Sequence, residues 1–423
     1  MLNQIRIDRR VLYSFMLIMT VMNVVIFFIP WKEILAGKSD LPHFYASAQM
    51  VREGQASRIY DFEAENRFVA RVSDVTRPPN IHLPYEILIF LPFTYLRFGT
   101  AHILWTLLSV GLIVGVALLM RSLRPGRSGF SLTFLTILAF FPVWYCLLQG
   151  QDSILLMFLF ALSFWFWRRG QDGVAGFVMA LGLFRPQLVL LFASVALLGG
   201  KSKFVRGFIP GAVLVAMLSV WVVGLQGMAD YGSTLIAQGT QGSASILLEK
   251  WHLQPGLMPT LRGLLWIGLP SWVPAGIRNF LLISGTFGGL LWAGKRMRSA
   301  GDGATFNVAF AIAVATITLV SFHSFLHDFS LMILSLLIAG DAVASSVYAS
   351  EKAAYLIVTL GFLFFLTPLY LVVALLTPRV GLFAVPTVVL LWLMGRWESA
   401  HWPVSLPDQN MIPCQTMLGT ERI

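Results

Sequence analysis

A carboxylate that follows the first long apolar run is the side chain best suited to acid–base chemistry. Asp40 lies in the mostly polar stretch Lys38–Asp61, ten residues after that run ends at Pro30. An aspartate at the surface of a bilayer could accept a proton from a hydroxyl group if its surroundings hold it in position. We then expect the neighbouring His43 and Tyr45 to contact substrate. The alternative is that Asp40 only caps the helix predicted after it, a frequent role of aspartate.

Arg185 is the second candidate because it interrupts an apolar run between Gly173 and Gly200. An arginine within an apolar stretch is costly unless it meets an anion or a water-filled cavity. Its planar guanidinium group suits a phosphate, and we expect Gln187, two residues further on, to contact substrate. The alternative is that the arginine reaches out to the membrane surface.

Two more polar motifs stand at predicted helix ends. Gln149 and Gln151 could hydrogen-bond sugar hydroxyls, although their segment could also be a simple turn. His323 and His327 are four residues apart and would share a helix face, next to Asp328. Such a set could bind zinc, but a His-Glu-x-x-His arrangement is lacking, and we expect no metal. We expect one histidine to contact phosphate or orient a carboxylate; the alternative is a helix-end cluster with Asp328 near the helix dipole.

The composition predicts a polytopic membrane protein. Of the 423 residues, 57% are hydrophobic and 12% are charged, and apolar runs recur at about the 20-residue length that crosses a bilayer. The first of them, from Val11 to Pro30, is predicted to be a retained helix. A net charge of +10 does not indicate nucleic-acid binding, because the basic residues are dispersed in short loops, where they determine topology.

The basic loops assign one side of the protein to the cytoplasm and the polar motifs to the other. We therefore predict one transmembrane domain over residues 1–395, with extracytoplasmic loops at 31–83 and 225–272 and a flexible cytoplasmic tail at 396–423. Ten to twelve membrane helices are expected, with re-entrant or short helices such as 84–98 on the outer side. The basic residues are Arg121, Arg124, Arg127, Arg168, Arg169, Lys201, Lys203, Arg206, Lys295, Arg296, Arg298, Lys352 and Arg396.

The order of these motifs has a counterpart in a known family. The aspartate is followed by Phe-Tyr-Ala-x-Ala and a Gly-x-x-x-x-x-Tyr-Asp; then come an apolar hairpin with prolines, Gly-Gln at a helix start, a basic-Pro-Gln break and a late His-Asp-x-x-Leu. This series resembles the GT87 (DUF2029) integral-membrane glycosyltransferases over most of residues 1–395. By position, Asp40 matches the acceptor-activating base, Arg185 the basic residue of a Lys-Pro-Gln-type motif, and His327 the late histidine. The chain departs from the family in having Arg for Lys, and His-Leu-Pro-Tyr at 82–85 where Tyr-Pro-Pro is common.

The resemblance implies a GT-C-type fold and a polyprenyl-phosphate sugar donor. We expect transfer of mannose, or alternatively arabinofuranose, to a glycan or glycolipid acceptor. The expected reaction is a single inverting displacement on the outer side of the plasma membrane, with Asp40 as base and Arg185 and His327 on the donor phosphate. No cofactor and no nucleic acid is expected. The alternative from another class is a transporter or lipid flippase with an intramembrane Arg/His site.

Overall fold

The protein is helical in its computed structural model. The structure describes residues 9–75, 82–122, 129–239, 255–301, 303–345, 359–377 and 379–400. Within these ranges no β-strand occurs. The predicted all-α polytopic class is therefore confirmed. Part of the predicted loop 225–272, residues 240–254, and residues 401–423 of the predicted tail lie outside the described residues.

The first half of the chain alternates long apolar helices with short helices and turns. Proline or glycine stands at many of the breaks, as expected from the lost N–H of proline and the freedom of glycine. The helices are α1 (Arg9–Phe28), α2 (Trp31–Leu35), α3 (Leu41–Arg52), α4 (Phe62–Val69), α5 (Ile87–Phe90), α6 (Phe98–Ser122), α7 (Phe130–Ala139), α8 (Phe141–Gln149), α9 (Ser153–Arg168), α10 (Asp172–Ala180), α11 (Pro186–Leu198) and α12 (Ser202–Gly239).

The second half contains fewer elements, and its central helix is buried along its length. They are α13 (Leu261–Gly268), α14 (Ala275–Ser299), α15 (Ala304–Val320), α16 (Met332–Ser345), α17 (Thr359–Phe365), α18 (Thr367–Leu371) and α19 (Ala384–Ala400). From Val308 to Val320 every residue of α15 is buried, because α14, α16 and α19 pack around it. A helix that is apolar on all faces is stable in such a central position.

Fewer helices reach the length of a membrane span than the ten to twelve expected. Among the described helices, α1, α6 and α12 are long and apolar enough to cross a bilayer, and the bent pairs α7–α8 and α17–α18 raise the number to five if each makes one span. The pairs bend by 67° and 59°. Other apolar helices have 10–17 residues, which is short for a hydrocarbon core of about 30 Å.

The described part of the predicted outer loop 31–83, which excludes residues 76–81, packs in a small apolar core together with residues of α5, α6 and α12. It forms α2, α3 and α4, and the ring of Phe44 stacks on Phe90 with centroids 4.7 Å apart. The segment after it, predicted as short helix 84–98, consists of two 3-10 turns around α5. This packing fixes the start of α3, where Asp40 lies.

A hairpin of two short arms carries Arg185, as the sequence predicts. The arms are α10 and α11, and Arg185 occupies the N-cap position of α11, directly before Pro186. Proline is favoured at the first helical position because it has no N–H to leave unpaired there. The helix therefore begins at Pro186 and leaves the Arg185 side chain at the break between the arms.

Candidate active site

Asp40 stands at the N-cap position of α3 but does not cap the helix. Its side chain accepts no hydrogen bond from the first-turn N–H groups of α3. By contrast, Asp61 caps α4 by accepting from the backbone N–H groups of Glu63 and Ala64, each over 3.1 Å. The capping alternative for Asp40 is therefore not realised, and its half-buried carboxylate is directed to other partners.

The turn between α8 and α9 holds Asp40 from both its backbone and its side chain. The Asp40 N–H donates to the carbonyl of Gln149 over 3.0 Å, and Gln151 Nε2 donates to Asp40 Oδ2 over 2.8 Å. Gly150 makes this approach sterically feasible, since it has φ +66° and a Cβ there would lie 2.8 Å from the Cβ of Leu41. The Gly-Gln motif thus positions the carboxylate.

Gln151 also connects Asp40 to Arg185. Its Oε1 accepts a hydrogen bond from Arg185 Nη2. A carboxylate only accepts and a guanidinium only donates, so the two contacts fix which end of the Gln151 amide faces which partner. The predicted base and the predicted phosphate-binding cation are therefore bridged by one side chain.

Arg185 lies in a buried charge cluster, which we define as Glu86, Asp152, Arg185 and Asp328. Arg185 is 5% exposed, and the three carboxylate residues are 0–1% exposed. Arg185 Nε donates to Asp152 Oδ1 over 2.8 Å, Nη2 contacts the same oxygen, and Nε lies 3.7 Å from Asp328 Oδ1. Buried charges require such pairing. Snorkelling, the alternative for Arg185, is not observed.

Asp328 ties the late histidine motif to this cluster. Its Oδ1 accepts from Ser153 Oγ over 2.8 Å, and its Oδ2 accepts from the Phe325 N–H over 3.1 Å and lies 3.5 Å from His327 Nε2. Burial lowers the pKa of His327 and lowers that of His323 to about 4. Near neutral pH the two rings are therefore uncharged, so His327 would offer a phosphate a neutral hydrogen bond.

The side chains of three other predicted substrate-contacting residues, Gln187, His43 and Tyr45, have partners within the protein. Gln187 Nε2 donates to the His323 carbonyl over 3.1 Å, which joins α11 to the histidine motif. His43 lies beside the site and pairs with buried Glu65, with Nδ1 and Oε1 3.1 Å apart. Tyr45 is turned elsewhere, since its hydroxyl donates to the Leu96 carbonyl over 2.6 Å.

Sequence reasoning missed the part of the site around Glu86. His82 Nδ1 lies 2.8 Å from Glu86 Oε2, and one ligand atom from each of His82, Glu86 and Asp152 lies within 4.8 Å of the others. The available signal was the glutamate itself, since a charge inside the apolar run 84–98 is as costly as Arg185 in its own run. These contacts add a second carboxylate beside Asp152.

In the described residues, the fold is that of an all-α membrane protein with a polar centre, in which Asp40 is linked through Gln151 to a buried arginine and its carboxylate partners. Residues 82–252 match the model of glycosyltransferase family 87. This match confirms the predicted resemblance over these residues and indicates a membrane glycosyltransferase. The match includes Glu86, Gln151, Asp152 and Arg185. Comparisons with curated proteins and with solved structures gave no match.

Proposed function

We propose that the chain transfers a sugar from a polyprenyl-phosphate donor to a hydroxyl group of a glycan or glycolipid acceptor. Mannose is the expected sugar and arabinofuranose the alternative. The observation that carries the proposal is the hydrogen-bonded series from Asp40 through Gln151 to Arg185. It sets a potential proton acceptor at a fixed distance from a cation that suits phosphate.

The proposed reaction is one displacement. Asp40 takes the proton of the acceptor hydroxyl, whose oxygen forms a bond to the anomeric carbon while the bond from that carbon to the phosphate oxygen breaks. The electron pair of the broken bond leaves with the lipid phosphate. A single carboxylate is sufficient for this step, and the configuration at the anomeric carbon is inverted.

Charge that develops on the leaving phosphate is stabilised by Arg185 and His327. The hydrogen bonds that described residues make with Arg185 use Nε and Nη2, which leaves Nη1 for a phosphate oxygen. Preorganised donors of this kind are effective because they need no reorientation during the reaction. His327 adds a neutral hydrogen bond from the other side of Asp328.

The donor carries its own membrane anchor, so the reaction needs no nucleotide-binding domain. Donor and acceptor would meet at the outer surface of the plasma membrane, the side to which the charge rule assigns Asp40. We expect His43, Gln149, Gln187 and His323 to contact sugar hydroxyls there. Tyr45 would act only after leaving its present bond to Leu96.

The test is transfer of radiolabel by purified protein in lipid nanodiscs. Short-chain polyprenyl-phosphate donors carrying labelled mannose or arabinofuranose are supplied with a membrane glycolipid extract as acceptor. Appearance of label in an acid-stable glycan or glycolipid supports the proposal. Movement of intact donor between leaflets of proteoliposomes, without cleavage of its sugar–phosphate bond, would instead establish the flippase alternative.

A further inference from the structure

His82, Glu86 and Asp152 form a three-residue group with ligand-type atoms close together. These atoms lie within 4.8 Å of one another, and His82 Nδ1 and Glu86 Oε2 are 2.8 Å apart. Two ligands at right angles around an ion with bonds of about 2.1 Å would be about 3 Å apart. The spacing of the His82–Glu86 pair thus suits a small divalent cation, and a side-chain movement would bring the third ligand atom into range.

The acidic side chains of this group are buried without matching donors. Glu86 Oε2 faces His82 Nδ1, but neither Glu86 Oε1 nor Asp152 Oδ2 accepts a hydrogen bond from a donor of the described residues, although Glu86 is 1% and Asp152 0% exposed. Asp152 Oδ1 is the oxygen that contacts Arg185. Buried carboxylate oxygens are costly without a compensating partner, so Asp152 Oδ2 and Glu86 Oε1 point to a missing one.

The charge balance of the buried charge cluster indicates the sign of that partner. Glu86, Asp152 and Asp328 bring three negative charges when ionised, and Arg185 brings one positive charge. A neutral imidazole such as that of His82 can ligate a metal through a ring nitrogen. With all three carboxylates ionised the cluster has a net charge of −2, which one divalent cation would neutralise.

We propose that His82, Glu86 and Asp152 bind one divalent metal ion through one imidazole nitrogen and two carboxylates. Three protein ligands leave coordination positions open, as in catalytic rather than purely structural metal sites. In the context of the proposed function, on which this part rests, the ion would give the cluster the positive charge that an anionic lipid phosphate needs. Arg185 would then share phosphate binding with the metal.

The competing arrangement is a proton shared between the two carboxyl groups. Burial raises the pKa of Glu86 to about 7, which favours such sharing if no metal is present. Glu86→Gln distinguishes the two arrangements. If the site binds a metal, loss of the ligand weakens metal binding. If the carboxyl groups share a proton, a neutral amide replaces a protonated carboxyl and the stability of the metal-free protein stays the same or rises.

The experiment measures Mn²⁺ binding to the full chain in nanodiscs, without any sugar donor. After treatment with a chelator and its removal, free Mn²⁺ is followed by electron paramagnetic resonance during titration. We expect one bound ion per wild-type chain and affinities reduced at least about tenfold in Glu86→Gln and Asp152→Asn. Glu63→Gln, which changes an exposed carboxylate on α4, is the matched control and should bind like wild type.

A second measurement keeps the proposal testable if these variants do not fold. Hyperfine spectroscopy of Mn²⁺ bound to wild type should show coupling to one directly ligating ¹⁴N, and His82→Gln should lose that coupling. Binding that is equally strong in Glu86→Gln, or a bound ion without nitrogen coupling, would overturn the site. Because no donor is present, these results are separate from success or failure of the transfer assay.

Discussion

Gln151 donates a hydrogen bond to Asp40 over 2.8 Å although 111 positions separate the two residues in the chain. The turn after α8 therefore determines where the carboxylate at the start of α3 lies. Because the same amide accepts from Arg185, movement of Gln151 would displace both groups that the proposed reaction requires. Gln151 is thus a positioning residue, and its substitution should lower kcat.

Replacing Gln151 tests this relationship. Gln151→Glu places a carboxylate against that of Asp40, and like charges at contact repel. We expect kcat for sugar transfer to fall about a hundredfold, the effect of misplacing a reacting group by roughly 1 Å, with a smaller change in the donor KM. Gln226→Glu, on an exposed part of α12, is the control. A variant whose kcat equals that of wild type would contradict the positioning role.

Gly150 and Gly170 provide a matched pair for the close approach of the turn to Leu41. Both are left-handed, with φ +66° and +74°, but a Cβ meets Leu41 at 2.8 Å only at Gly150 and meets nothing within 4 Å at Gly170. Gly170→Ala should cost roughly 1–2 kcal/mol of stability from backbone strain. Gly150→Ala should cost more and also reduce transfer. Equal melting temperatures and activities of the two variants would show that the approach is not required.

The sequence predicts well those features that depend on local pattern. The length of the apolar runs predicted α1 and α6, and the break at Arg185-Pro186 predicted the hairpin of α10 and α11. The common side of Asp40, Gln151 and Arg185 followed from basic loops, and the structure joins these residues by hydrogen bonds. These predictions share a cause, because helix breaks and loop charges can be recognised in the sequence without knowing which residues are in contact in the fold.

Features that depend on tertiary contacts were not predictable in the same way. The ion pair of Arg185 with Asp152 joins two separate helix starts, and no periodicity indicates it. Glu86 comes into the site because 84–98 folds as short turns, whereas a straight helix would have placed it differently. Three to five of the described helices are long and apolar enough to cross a bilayer, fewer than the ten to twelve expected, because an apolar run does not reveal where a helix ends or bends.

Arg185 substitutions should separate charge pairing from donor binding. Arg185→Ala leaves Asp152 and Asp328 buried without their cation, which costs about 3–5 kcal/mol, so we expect a large fall in melting temperature. Adding Asp152→Asn removes one of the uncompensated charges and should restore part of the stability. Arg185→Lys keeps the charge but loses the planar fork and should retain partial activity.

Donor kinetics of the stabilised double variant provide the decisive comparison for Arg185. If Arg185 binds the phosphate, the donor KM of Arg185→Ala with Asp152→Asn should exceed that of Asp152→Asn alone, with a smaller difference in the acceptor KM. Equal donor KM values in these two folded variants would assign Arg185 a purely structural role. Thermal unfolding in the same detergent verifies that each variant is folded.

The proposed orientation can be checked with single cysteines. In a chain with Cys146→Ala and Cys414→Ser, a cysteine is introduced at exposed Glu63 of α4 or at exposed Lys203 of α12. A membrane-impermeant maleimide should label Glu63→Cys in intact cells and Lys203→Cys only after permeabilisation, because the basic loops remain in the cytoplasm. The reverse pattern would place Asp40 on the cytoplasmic side and contradict the proposed location.

The proposed reaction depends most directly on Asp40. Asp40→Asn preserves size and removes the basic oxygen, and loss of a well-placed general base lowers the rate by about a hundred- to ten-thousand-fold. Stability should change little, since Asp40 makes no cap hydrogen bond to α3. Donor binding, measured as protection of the purified protein against heat, should persist. The expected result is a folded variant that binds donor and does not transfer sugar.

Asp61→Ala is the control for Asp40→Asn, because Asp61 is a genuine cap that accepts from two backbone N–H groups of α4 and also pairs with Arg58 over 2.7 Å. Losing a cap costs on the order of 1 kcal/mol, so this variant should melt at a lower temperature and still transfer sugar. The two substitutions thus predict opposite combinations of stability and activity. If Asp40→Asn instead transfers sugar at the wild-type rate, the proton acceptor must be another carboxylate, with Asp152 and Asp328 the next to substitute.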